Sequence, residues 1–125
     1  MKQALLLFFF SISLFAQKTT ELIKSSKLGE TREITVSLPS SYETNTSKRY
    51  PILLLLDGDY LFDPFSGAIS YGNCWGDIPE MIIIGVHQNK NDEREDDTTI
   101  DQNTGLPFEK GAEFYEFIGA ELLPY

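Results

Sequence analysis

Two segments of the chain are apolar at almost every position, and an earlier segment alternates between apolar and polar residues. Residues 52–56 (ILLLL) and 81–86 (MIIIGV) form the continuous runs, which are typical of central parallel strands buried on both faces. Residues 19–38 contain two strand-like runs separated by a Leu-Gly-Glu turn, and in the second run every other residue is apolar. That period of two predicts a strand with one face in water.

Two further segments have the spacing of helices. Residues 67–75 (GAISYGNCW) are a helix candidate that glycine interrupts. Residues 108–123 have apolar residues four positions apart, which predicts an amphipathic helix. These residues are Phe114, Ile118 and Leu122. Pro107 precedes this helix, and proline is tolerated in the first turn.

Strands that alternate with helices predict an α/β fold. The chain has 125 residues, a length that suits a single domain. We therefore expect residues 17–125 to form one α/β unit.

The first 16 residues predict a signal peptide. Lys2 gives a short positive start, an apolar core follows, and Ala16 precedes a plausible cleavage point. The apolar run is shorter than the roughly 20 residues that a spanning helix needs. We expect an exported chain, periplasmic or secreted, that has no membrane attachment once residues 1–16 are removed.

The net charge limits which partners the chain can bind, and the cysteine content limits which disulfide bonds can stabilise it. The formal net charge is −9, which argues against nucleic acid and anionic membranes as partners. Much of the acid lies in residues 92–97 (DEREDD), and a charge run of this kind is usually a solvated surface. Cys74 is the one cysteine, so no internal disulfide can form. We interpret Cys74 as a small buried residue.

Candidate chemistry follows the two apolar runs, because the carboxyl ends of parallel strands collect functional residues. Asp57, Gly58 and Asp59 come after the first run, and His87 after the second. Gly58 lets the backbone turn sharply. The sequence leaves open a plain turn, half of an active site, or a cation site formed by Asp57, Asp59 and Asp63. His87, the one histidine, is interpreted as structural.

Five segments in this order resemble the branch of the α/β-hydrolases known as the putative esterases, which includes esterase D-like enzymes, siderophore esterases and mycolyltransferases. The resemblance covers residues 22–125. The segments are REITVSLPSSY (32–42), RYPILLLLDGDYLF (49–62), PEMIIIGVHQN (79–89), an R-x-D-D-T-T stretch (94–99) and GAEFYEFIGAELLPY (111–125).

The resemblance implies an oxyanion hole at the end of the first apolar run. In this family, the residue after Asp-Gly donates one backbone N–H to the oxyanion, and that residue here is Asp59. Gly58 would support the turn. Because the Asp59 carboxylate would oppose an oxyanion, it should point to solvent. The family's serine chemistry uses no cofactor and no metal.

The chain departs from the family in its catalytic residues. No serine stands in the G-x-S-x-G elbow; Ser70 comes nearest, with Gly72 after it but Ala68 before it. The resemblance thus implies that no catalytic Ser, Asp or His lies in this chain. It also implies an incomplete α/β-hydrolase sheet, without the nucleophile strand that would pair beside residues 52–56. We expect self-association through that exposed strand edge.

The main hypothesis is therefore the amino-terminal fragment of a secreted serine esterase that acts on small-molecule carboxylic esters, inactive alone. The alternative is a short exported module that binds through its acidic loop or sheet edge. A third hypothesis is a metal-dependent enzyme using the three aspartates named above. A downstream reading frame encoding a G-x-S-x-G turn would favour the fragment over the module.

Overall fold

A computed structural model describes residues 18–89, 91 and 94–125. The predicted signal peptide, residues 1–16, lies outside this part. The strands are β1 (Lys18–Lys24), β2 (Thr31–Ser37), β3 (Ile52–Leu55) and β4 (Ile82–Val86). The helices are α1 (Gly58–Trp75), α2 (Arg94–Asp97) and α3 (Lys110–Phe117), which continues into a π-helical turn (Ile118–Leu122). No helix in the described ranges is long and apolar enough to cross a membrane.

The four strands form one sheet in the order β1-β2-β4-β3. The pairs β1–β2 and β2–β4 are antiparallel, and β3 runs parallel to β4 with Leu54 opposite Ile84. The α/β prediction is confirmed. The continuous apolar run of β3 is typical of a central strand, but within the described ranges β3 lies at the edge, as expected for a sheet without the nucleophile strand. Because β3 lies at the edge, Ile52 keeps 48% of its surface exposed.

Apolar clusters cover both faces of the sheet. On one face, α1 packs against the strands through Leu55, Phe62 and Ile83. On the other face, α3 and its π-helical turn pack against β1, β2 and β4. Buried in that larger cluster are Ile23, Ile34, Ile84, Val86, Phe114, Phe117 and Leu122. Helices on both faces of a sheet are the arrangement expected when a parallel strand pair is joined by a helical crossover.

Helix α1 is twice as long as the predicted helix of residues 67–75. It begins at Gly58, directly after β3, and continues through Pro64. The prediction missed its first half because proline and glycine are unfavourable inside helices. Tertiary packing overrides that preference, since Phe62 is 97% removed from solvent against the sheet. The helix ends at Gly76, whose φ of 80° is the left-handed cap that glycine favours.

The last helix differs from its prediction in where it begins and in which residues it buries. Pro107 pairs with Ile100 in an isolated bridge rather than opening the helix, and α3 starts at Lys110. Phe117 is fully buried, whereas Ile118 is only partly buried. The π-helical turn widens the spacing, so Phe117 and Leu122 share the buried face although they are five residues apart.

Candidate functional site

The carboxyl ends of β3 and β4 lie side by side, and the backbone after β3 turns sharply into α1. Asp57 makes this turn with φ 55° and ψ 41°, the left-handed conformation. Such a conformation is uncommon for a residue with a side chain and is found most often at turns and functional sites. The sequence assigned the turn to Gly58, but the left-handed residue is Asp57.

Gly58 is required for a different reason, which is its contact with β4. A Cβ atom on Gly58 would lie 2.5 Å from the carbonyl carbon of Gly85. A Cβ atom on Gly85 would in turn lie 2.8 Å from Cδ2 of Phe62. Two residues without side chains thus let the first turn of α1 rest on the backbone of β4. The helix start is held at the end of the parallel pair.

The Asp57 carboxylate is buried, with 6% of the residue exposed, and it fixes the turn from the side. Arg94 Nε lies 3.0 Å from its Oδ2 atom, and Gln88 Nε2 donates to Oδ1 at 3.2 Å. Tyr60 also faces this carboxylate: partial loss of water contact, followed by the hydrogen bond to Asp57, raises the pKa of its hydroxyl. These contacts join the turn to the segment after β4 and to α2.

Free backbone donors occupy the start of α1. The first N–H groups of an α-helix have no partner within the helix. Across the described ranges, the N–H groups of Gly58 and Asp59 make no hydrogen bond, whereas those of Tyr60 and Leu61 bond to the Asp57 carbonyl. Asp59 is exposed, and its carboxylate has no ion-pair partner among the same residues. The arrangement can therefore donate backbone hydrogen bonds to a negatively charged oxygen.

Arg32, a buried arginine on β2, supports the carboxyl end of the parallel strand pair. Arg32 keeps 2% of its surface exposed. It donates to Asp97 through Nη1 at 2.6 Å and through Nη2 at 3.1 Å, and to Glu30 through Nη2 at 2.7 Å. Burial opposes its charge, but these bonds raise the pKa of Arg32 above its ordinary value. The arginine therefore anchors α2 beside the turn.

The acidic run of residues 92–97 was predicted to be a solvated surface, and for its last residue this is wrong. Only 14% of the Asp97 side chain is exposed, because it pairs with Arg32. Arg94, in the same run, reaches Asp57. Residues 92 and 93 lie outside the described part. The R-x-D-D-T-T stretch of the resemblance was the sequence feature that pointed to Arg94 and Asp97. Charge content alone does not predict which carboxylate pairs with a buried arginine.

The histidine and the serine nearest to an elbow are not brought together. The His87 ring bonds to Thr35 Oγ1 at 2.8 Å through Nε2 and lies 3.2 Å from Glu33 Oε1 through Nδ1. Its ring is thus held against β2. Ser70 lines a cavity of about 280 Å³ with residues from the start of β4, at the opposite end of the parallel pair.

Cys74 lines the same cavity as Ser70. It is exposed, so the prediction of a small buried residue is wrong. Helix α1 is longer than predicted and buries a different side near its end. Gly72, rather than Cys74, packs there against Ile78.

The three aspartates proposed for a cation do not form a cluster. Asp57 is engaged by Arg94, and Asp63 pairs with Lys18. Within the described ranges, no group of three or more His, Cys, Asp or Glu side chains is placed to hold a metal ion.

Comparison with known proteins relates the chain to hydrolases. Residues 25–125 match the family model described as "Putative esterase". No curated protein matches the chain. Among solved structures, an uncharacterised protein from Capnocytophaga ochracea is 29% identical, with a TM-score of 0.73; the match covers 87% of this chain and 29% of that protein.

Two other solved structures have functional descriptions. An IroE-like serine hydrolase from Shewanella oneidensis is 28% identical with a TM-score of 0.69, over 86% of this chain and 37% of that one. A ferulic acid esterase is 25% identical with a TM-score of 0.62, over 88% of this chain and 42% of that one. The chain thus spans less than half the length of each of these structures.

Proposed function

Because the chain belongs to the Putative esterase family, we propose that it forms the oxyanion side of a secreted serine esterase that acts on small-molecule carboxylic esters. One observation carries the proposal. The left-handed turn at Asp57 leaves the Asp59 N–H unpaired at the end of two parallel strands. The IroE-like serine hydrolase and the ferulic acid esterase named above support the reaction class.

The chemical role of the turn is to stabilise charge. When a serine oxygen attacks an ester carbonyl, the π electrons of the C=O bond move to oxygen, and a negative tetrahedral intermediate forms. The Asp59 N–H would donate to that oxygen. Removal of one such donor from a serine hydrolase costs about 2.7–4 kcal/mol of transition-state stabilisation. The contacts of Asp57 with Arg94 and Gln88 keep the donor in place.

The Asp59 side chain is compatible with this role only when it points away from the oxyanion. Its exposure agrees with that requirement. The main-chain donor would then act while the carboxylate remains in water, where screening weakens its repulsion of a negative intermediate.

The nucleophile, its base and its acid belong to segments other than the 125 residues of this sequence. No serine here stands in a G-x-S-x-G elbow, and Ser70 and His87 line different cavities. The chain alone would therefore not turn over an ester. The serine route itself needs neither a cofactor nor a metal. The predicted signal peptide supports a location outside the cytoplasm.

A chimera tests the proposal. Residues 25–125 would replace the matching segment of the Shewanella hydrolase, whose own continuation would supply the nucleophile. Asp59→Pro removes the N–H without breaking a hydrogen bond, since proline fits the first turn of a helix. Asp59→Ala removes the carboxylate and retains the N–H, so it is the matched control.

We expect Asp59→Pro to lower kcat about 100–1000-fold, the effect of losing one oxyanion donor, with thermal unfolding close to that of Asp59→Ala. Asp59→Ala should stay within a few-fold of the parent chimera. Equal kcat values for the two variants would remove the oxyanion role from Asp59.

A further inference from the structure

A cavity of about 280 Å³ lies between β2 and α1, at the end of the parallel pair opposite the oxyanion turn. Its floor is the antiparallel pair of β2 and β4, where Ser37 lies opposite Ile83. One wall is the second half of α1, including Ile69 and Asn73. Strand β3 separates this pair from the edge at which the family's nucleophile strand would join. The cavity, called the β2–α1 cavity below, is therefore formed by this chain's own residues.

The hydroxyl group of Ser37 is a polar group without a partner on the floor of this cavity. Side chains alternate between the two faces of a strand. Ile34 packs on the α3 face, so Ser37 points to the α1 face, as does Ile83 opposite it. Ser37 keeps only 6% of its surface exposed, and its hydroxyl makes no hydrogen bond to a described residue. Every fully enclosed polar side-chain atom in the described ranges has a partner, so this hydroxyl reaches the cavity that Ser37 lines.

Asn73 supplies a second polar atom that a ligand can bind. Its Nδ2 atom donates to the Ile78 carbonyl at 3.0 Å, which orients the amide. Its Oδ1 atom accepts no hydrogen bond from a described residue. A ligand hydroxyl can donate to Asn73 Oδ1 and accept from the Ser37 hydroxyl, because an O–H group is both donor and acceptor. A carboxylate cannot donate to Oδ1, so the two residues favour a hydroxyl group over an anion.

The charged residue that lines the cavity does not call for a cation. Glu80 pairs with Lys48 at 2.6 Å and accepts hydrogen bonds from Ser40 and Ser41. Its charge is therefore already balanced, and an ammonium group placed in the cavity would lose water without gaining a counter-ion. A neutral ligand avoids that cost.

The apolar part of the wall accommodates a ring. Ile69, Met81 and Ile83 line the cavity, and all three belong to the cluster that α1 forms with the sheet. The sulfur of methionine makes favourable contacts with aromatic rings. The volume of about 280 Å³ exceeds the roughly 150 Å³ of an engineered cavity that binds benzene. A single substituted ring therefore fits.

We propose that the β2–α1 cavity binds a small neutral molecule of the phenol class, with one aromatic ring and a hydroxyl group. The ring lies against Ile69, Met81 and Ile83, and the hydroxyl bonds to Ser37 and Asn73. Binding needs neither the oxyanion turn nor a nucleophile, so this site is independent of the proposed ester chemistry.

Titration with three ligands tests the proposal. Backbone amide shifts would be recorded by NMR for the 125-residue chain, purified after export from a bacterial host. Phenol is the probe, toluene has nearly the same shape without the hydroxyl, and benzoate carries a negative charge. Ser37→Ala removes the cavity hydroxyl. Ser47→Ala, at an exposed serine of the loop between β2 and β3, is the matched control because Ser47 does not line the cavity.

We expect saturable shifts centred on the cavity with phenol, and binding of toluene and benzoate at least about fivefold weaker, the effect of one hydrogen bond. Ser37→Ala should weaken phenol about fivefold and leave toluene within about twofold of the parent, whereas Ser47→Ala should change neither. Cys74, the one cysteine of the sequence, lines the cavity, so saturating phenol should slow its alkylation by iodoacetamide.

The comparison of the three ligands in the parent chain depends on no variant, and thermal unfolding would check that each variant is folded. Absence of shifts at the cavity, equal affinity for phenol and toluene, or benzoate binding as tightly as phenol would each overturn the proposal. So would an equal loss of phenol and toluene binding in Ser37→Ala.

Discussion

Gly58 and Gly85 meet through their backbones. A Cβ atom on Gly58 would lie 2.5 Å from the Gly85 carbonyl carbon, and a Cβ atom on Gly85 would lie 3.1 Å from the Gly58 Cα. This contact fixes the first turn of α1 against the end of β4. The unpaired Asp59 N–H is therefore positioned by a rigid backbone contact as well as by the turn itself.

Replacing Gly58 by alanine should destabilise the fold. The new methyl group would collide with backbone atoms, which cannot rotate away as a side chain can. We expect a loss of about 1–3 kcal/mol in the free energy of unfolding, the range for overpacking, measured by urea denaturation. Gly67→Ala is the control, because nothing lies within 4 Å of its Cβ position. It should stabilise α1 by up to about 1 kcal/mol, and equal effects for both variants would contradict the contact.

Removing the Asp97 carboxylate should cost much more than removing an exposed one. Arg32 is buried and would lose its bidentate partner, although Glu30 would remain. Asp97→Ala should lower the free energy of unfolding by roughly 3 kcal/mol, the lower end for a broken buried pair. Glu113→Ala breaks an exposed pair with Lys110 and should change the free energy of unfolding by less than about 1 kcal/mol. Similar losses in urea denaturation would mean that Arg32 does not depend on Asp97.

The strands could be predicted from the sequence, but the Arg32–Asp97 pair could not. The period-two pattern predicted β2, and the continuous apolar runs predicted β3 and β4, because periodicity follows directly from strand geometry. Nothing in the spacing links residues 65 positions apart in a region otherwise polar. Ion pairing between such residues is set by the tertiary fold. The acidic run of residues 92–97 suggested only a solvated surface, and only the resemblance marked residues 94–99 as a motif.

Acid should weaken the attachment of the loop between β2 and β3. Lys48, at 2.6 Å, together with hydrogen bonds from Ser41 and Ser40 lowers the pKa of Glu80 to about 2. Because the folded pKa lies below the ordinary value of 4.5, this stabilisation is fully present above pH 4.5 and is lost as the pH falls toward 2. The difference in the free energy of unfolding between the parent and Glu80→Gln should therefore shrink as the pH falls across that window.

An NMR titration of the Glu80 side-chain carboxyl provides the direct check. We expect a midpoint well below the ordinary glutamate pKa of 4.5. A Glu80 midpoint at that ordinary value would show that Lys48 and the two serines do not hold the carboxylate.

Truncation of Phe117 should reveal the true register of the last helix. Phe117 is 0% exposed in the larger apolar cluster, so Phe117→Ala should lower the free energy of unfolding by about 3–5 kcal/mol. Tyr115→Ala, at a residue that is 68% exposed, should have little effect. If Ile118→Ala proved more costly than Phe117→Ala, the regular four-residue spacing would be right and the π-helical turn wrong.

The predictions of the start of α1 and of the burial of Phe117 failed for the same physical reason. Spacing rules assume a regular helix with residues that favour it, and they predicted the existence of both helical segments. They missed the start of α1 because Pro64 is a poor helix former. They missed Phe117 because a π-helical turn shifts the buried face. Packing against the sheet decided both features. The left-handed conformation of Asp57 likewise could not be predicted from its residue type, although aspartate is one of the few residues with a side chain that adopt it.

Ester hydrolysis by the chain alone tests the central claim, that these residues carry an oxyanion turn and no nucleophile. The purified 125-residue chain, its Ser70→Ala variant and buffer would be compared on short-chain p-nitrophenyl esters, with circular dichroism confirming that both proteins are folded. We expect the parent and the variant to have the same rate, at the background of the buffer. Turnover well above background that Ser70→Ala abolishes would contradict it.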